Sequence, residues 1–127
     1  MNENELTGLL ESLRRMGSDD LSVEVKESAM TLSRDVWETV SAFANTAGGI
    51  IVLGVSERAG FVPVANFETE KVLNQFVAGM GDAGGRGKLA NPPKYTIERV
   101  GLRGTVVLVI TIEELDPSSK PCYVIER

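Results

Sequence analysis

The segment from Ser41 to Val55, S-A-F-A-N-T-A-G-G-I-I-V-L-G-V, constrains this chain most, because a helical pattern runs through a glycine pair straight into an apolar run. Upstream, Val36, Trp37, Val40, Phe43 and Ala44 recur at the spacing of one helix face. That spacing predicts a helix from Ser33 to Thr46, with Ser33 or Thr31 capping its start and Gly48 taking the left-handed conformation at its end. Ile50, Ile51, Val52, Leu53 and Val55 are short, apolar and mostly β-branched, as expected of a strand covered on both faces. A helix packed on a sheet follows.

Length and composition limit what such a core can support. With 127 residues, the chain predicts one domain, 1–127, that buries roughly two-thirds of its unfolded surface. No apolar run approaches the roughly 18 residues of a membrane span, and the acidic start lacks the basic and hydrophobic regions of a signal peptide. No membrane partner and a cytoplasmic location are therefore expected. A lone cysteine, Cys122, excludes an internal disulfide. The absence of histidine excludes Ser-His and Cys-His catalytic pairs and the usual zinc ligand sets within the chain.

Periodicity and chain breakers order the remaining elements. Asn2 or Asn4 opens a first helix carrying Leu6, Leu9, Leu10 and Leu13 on one face and closing near Gly17. A short strand is expected over Leu21 to Lys26, a hairpin turn over Ser56 to Gly60 leading into Phe61 to Val64, and a third helix over Glu68 to Met80. Gly79 to Pro93 reads as a long loop. Lys94 to Val100 and Thr105 to Ile112 form a hairpin, and Tyr123 to Ile125 a last strand. The sum is an α/β (α+β) domain whose mixed, mainly antiparallel sheet packs with about three helices.

The same motifs carry a resemblance. V-E-V-K (Val23 to Lys26), A-F-A-N-T-A-G-G, the L-G-V strand and K-P-C-Y (Lys120 to Tyr123) recur in that order in the Schlafen AlbA-type domain, to which a DNA-binding role is ascribed. Val25 stands where the family more often has Phe. The resemblance implies a nucleic-acid-binding module of a prokaryotic transcriptional regulator. Its relatives continue past K-P-x-Y, often into a helix-turn-helix or winged-helix segment. It therefore implies a linked C-terminal domain, with a homo-oligomer among the expected partners.

Charge points to where nucleic acid would touch. Residues 71 to 105 hold six bases (Lys71, Arg86, Lys88, Lys94, Arg99, Arg103) against two acids (Asp82, Glu98), a local excess of four positive charges in a chain of net charge −5. Arg86, Lys88, Lys94, Arg99 and Arg103, on a Gly-rich loop and the following hairpin, are the expected phosphate contacts, with Lys26 and Asn45 as further candidates. Such contacts position a nucleic acid without specifying sequence. DNA is favoured over RNA, and no cofactor is needed. Two look-alike motifs are set aside. Gly79 to Gly84 matches G-x-G-x-x-G but follows a helix, and Gly87-Lys88 is followed by Leu89 where a phosphate loop needs Ser or Thr.

A second reading comes from the resemblance alone. Some Schlafen proteins are nucleases with an acidic triad, which matches Asp19, Glu24 and Glu57 here, Asp19 replacing a Glu and Ser56 standing where many relatives carry Asp. Those carboxylates would hold Mg²⁺ or Mn²⁺ and activate water, with Lys26 stabilising developing charge. Against it stand ordinary roles: a turn for Asp19, pairing with Lys26 for Glu24, a hairpin for Glu57. Asn45 likewise suits a helix end, Trp37 a core position and Cys122 a packing site. A third reading makes the chain a dimerisation or ligand-sensing module without nucleic-acid contact.

Overall fold

The computed structural model describes residues 1–16 and 22–125. Helix α1, Glu3–Met16, opens on a capping box: the Glu5 N–H donates to Asn2 Oδ1 at 2.8 Å, and the Asn2 N–H donates to Glu5 Oε1 at 2.9 Å. Of the two asparagines, Asn2 is thus the cap. Strand β1 (Val23–Lys26), helix α2 (Val36–Asn45) and strand β2 (Gly49–Leu53) follow, then the hairpin of β3 (Val55–Ser56) and β4 (Val62–Pro63). Helix α3 (Thr69–Gly79), β5 (Leu89–Ala90), the long hairpin of β6 (Tyr95–Leu102) and β7 (Thr105–Ile112), and β8 (Tyr123–Val124) complete the order.

The main sheet has the order β1-β2-β7-β6, with β1 parallel to β2 and the other pairs antiparallel. The mixed, mainly antiparallel sheet with three helices is the architecture expected from the pattern. Because side chains alternate along a strand, β2, β6 and β7 each feed two cores. Val52, Val107, Val109, Val100 and Leu102 pack under Leu6, Leu10 and Leu13 of α1. Ile51, Leu53, Leu108, Ile110 and Ile112 face the other way, onto α2 and α3. That three-layer arrangement is why β2 reads as an unbroken apolar run.

The glycine pair between α2 and β2 has two separate causes. Gly48 adopts φ +75°, and a Cβ there would stand 2.6 Å from the Ile112 carbonyl oxygen. At Gly49 a Cβ would stand 2.7 Å from the Phe43 ring. The Gly48 N–H donates to the Phe43 carbonyl at 2.8 Å, closing the helix as foreseen.

Three expectations are corrected. Helix α2 starts at Val36, not Ser33, and its cap position, Asp35, makes no side-chain capping bond. Ser33 is used elsewhere, its hydroxyl 2.8 Å from that of Ser28. The stretch 79–93 is not wholly loop: β5 lies within it. The last strand pairs with β5 rather than joining the main sheet, so the chain end closes back on the Gly-rich segment. Among the described residues, no helix is long and apolar enough to cross a membrane.

Candidate nucleic-acid interface

The basic residues expected on phosphates separate into distinct settings. Arg86 and Lys88 line a groove of about 390 Å³ where the start of α2 meets the end of α3, together with Thr31, Arg34, Trp37 and Gln75. Three chain segments meet here because the α3 terminus and the Gly-rich stretch are bonded directly. The Lys88 N–H donates to the Gly79 carbonyl at 2.7 Å, and a Cβ on Gly87 would lie 3.0 Å from that same oxygen. On the far wall, Gln75 Oε1 accepts the Leu32 N–H at 2.8 Å, and Gln75 Nε2 donates to Thr31 Oγ1 at 3.0 Å. Arg34 is thereby carried to the same opening.

Arg34 and Arg86 are exposed and have no carboxylate partner among the described residues. Asp35, the nearest acid in sequence to Arg34, is engaged 3.2 Å from Lys26 Nζ. The groove is therefore a concentration of positive charge on a chain of net charge −5. Arg34 was missed by sequence reading because it lies outside residues 71 to 105. Its only local signal was a position just before the α2 stripe.

The other candidates are placed differently. Arg99 lies on β6 against the first turn of α3, where Nε and Nη2 donate to the two Glu70 carboxylate oxygens at 2.7 and 2.8 Å. That fork holds the Glu70 carboxyl below its usual range, chiefly through the hydrogen bond from Arg99. Arg103 sits at the β6–β7 turn with φ +50°, its N–H donating to Glu3 Oε2 at 3.0 Å. Lys94 lines a separate pocket of about 480 Å³ with Asp82, Tyr95 and Glu113. An eight-residue strand separates Lys94 from Arg103, so the two ends stand roughly 30 Å apart. The basic residues of 71 to 105 thus share sequence, not one surface.

Lys26 is buried, 8 % exposed, with Nζ 3.1 Å from Glu24 Oε1 and 3.2 Å from Asp35 Oδ2. Asn45 is committed to the late K-P-C-Y segment. Its Nδ2 donates to the Cys122 carbonyl at 2.9 Å, and its Oδ1 accepts the Cys122 N–H at 2.8 Å. The two motifs that recur together in sequence are therefore bonded through one amide.

Of the three carboxylates, Asp19 lies outside the described residues. Glu24 lies 3.1 Å from Lys26 Nζ within β1, and Glu57 is exposed in the β3–β4 turn beside Arg14 and Arg58. Ser56 is buried and donates to Glu27 Oε2 at 2.8 Å. Among the described residues, no three of His, Cys, Asp and Glu converge as metal ligands.

The family model described as Schlafen, AlbA_2 matches residues 19–124, from before β1 to the end of β8. The chain belongs to the Schlafen AlbA_2 family. Helix α1 lies before the matched region. No curated protein matches the chain. Among solved structures, it is similar to the N-terminal domain of a RecG-related protein from Nitrosomonas europaea, determined in solution by NMR. That similarity has 26% identity and a TM-score of 0.69, and covers 94% of this chain and 79% of that one. It also aligns, at 16% identity and a TM-score of 0.44, with the DIP2311 protein from Corynebacterium diphtheriae, covering 95% of this chain and 24% of that one. The Schlafen AlbA_2 membership and the first neighbour agree with the α+β architecture described above.

Proposed function

We propose that this Schlafen AlbA_2 domain binds nucleic acid, with DNA favoured over RNA, as the N-terminal module of a longer, oligomeric transcriptional regulator. The observation that carries the reading is the groove where Arg34, from the segment before α2, meets Arg86 and Lys88 of the Gly-rich stretch at the end of α3. Guanidinium and ammonium groups at a concave opening suit phosphate oxygens, and nearby backbone and Gln75 donors are committed to holding the walls. The neighbour's full protein is described as related to a DNA helicase, which supports the same ligand class. The reading needs no cofactor.

Electrophoretic shift and fluorescence anisotropy against labelled DNA and RNA, over a range of salt, test it. Wild-type protein is expected to bind with salt-sensitive affinity. Arg34→Ala and Arg86→Ala each lower the slope of log K against log salt by about 0.7 to 0.9, the value of one lost phosphate contact. Absence of binding by folded wild-type protein, or an unaltered salt slope in both variants, overturns the reading.

A further inference from the structure

The ribbon of β5 and β8 sets an aromatic ring beside the basic groove. Leu89 pairs with Val124 and Ala90 with Tyr123, and the Ile125 N–H donates to the Lys88 carbonyl at 2.9 Å. Lys88 therefore stands opposite Ile125. Since faces alternate along each strand, Leu89 and Val124 turn inward to the core, while Lys88, Ala90, Tyr123 and Ile125 share the outer face. Tyr123 is 52% exposed and Ile125 43% exposed. Tyr123 lies diagonal to Lys88, a Cα spacing of about 7–8 Å that long and aromatic side chains bridge.

Every other aromatic side chain in the molecule is buried or half-buried, Trp37 included. The Tyr123 side chain makes no ring contact or hydrogen bond among the described residues. An open, unengaged ring next to a lysine that lines a cationic groove is the arrangement that takes an unstacked base with its neighbouring phosphate. A paired duplex offers no free base face to such a ring, whereas every base of a single strand does.

We infer that the preferred ligand is single-stranded nucleic acid, one base lying on Tyr123 while adjoining phosphates enter the Arg34, Arg86 and Lys88 groove. The inference rests on the nucleic-acid reading above and narrows its substrate class. Base identity is not read, because a ring face accepts any base.

Anisotropy titrations with labelled oligo-dT and oligo-rU of about twelve nucleotides, within the range one small fold tracks, and with a duplex of equal length, test it. Both single strands are expected to bind at least about tenfold tighter than the duplex. Tyr123→Ala weakens single-strand binding roughly 5- to 150-fold, the worth of one base on an aromatic ring. It leaves duplex binding and the salt slope unchanged, and Tyr123→Phe binds as wild type. Circular dichroism and thermal melting establish that both variants fold. Equal affinity for duplex and single strand, or full single-strand affinity in Tyr123→Ala, overturns this inference while leaving the nucleic-acid reading intact. Failure to bind any of the three ligands overturns both.

Discussion

At Gly79 the absence of a side chain lets two helices meet. A Cβ there would fall 2.1 Å from Trp37 Cζ2, inside the ring that stacks on Phe76 at 5.4 Å. Gly79→Ala is expected to destabilise by about 1–3 kcal/mol through overpacking, seen as a lower urea midpoint. Asn45→Ala leaves both backbone groups of Cys122 short of a partner, and a loss of about 1–3 kcal/mol follows in the same measurement. Tyr95 has its phenol pushed up to about 12, first by burial and then by its hydrogen bond to Asp82 at 2.9 Å. A folded pKa above the unfolded value means that this contribution is whole below the ordinary Tyr range near 10 and is lost as pH rises through about 12. Absorbance titration should show Tyr95 ionising late, and Asp82→Asn should bring it down while leaving it above the ordinary value, because burial persists.

Elements were legible where periodicity was strong and obscure where it was short. The α2 stripe and the β2 run gave their own identities, since Val36, Trp37, Val40, Phe43 and Ala44 are all buried and β2 lies between two strands. Strand β5 carried no such signal: Leu89-Ala90 is two residues long and exists only because β8 comes back to pair with it. Helix α1, before the family match, shares one core with the sheet face opposite α2 and α3. Leu10→Ala is expected to cost about 2–5 kcal/mol, measured by chemical denaturation, as a large cavity opens against Val100 and Leu102. A loss below 1 kcal/mol would mean that α1 is dispensable to that core.

For the molecule as a whole, the distribution of charge decides more than its total. Arg99 and Glu70 neutralise one another across β6 and α3, so Arg99→Ala should leave the salt slope of nucleic-acid binding near the wild-type value, in contrast to Arg34→Ala and Arg86→Ala. Anisotropy at several salt concentrations compares the three directly. The sequence by itself determined the layers, the family and two of the groove's cations, Arg86 and Lys88, because local periodicity, motif order and charge runs are properties of neighbours along the chain. Only the tertiary structure decided that Arg34 joins them, that Arg99, Lys26 and Asn45 are held by Glu70, by Glu24 with Asp35, and by Cys122, and that Tyr123 lies diagonal to Lys88 across β5 and β8. Those pairings span up to 77 residues of chain, and which charge meets which is set by strand register and helix crossing, which no local pattern encodes.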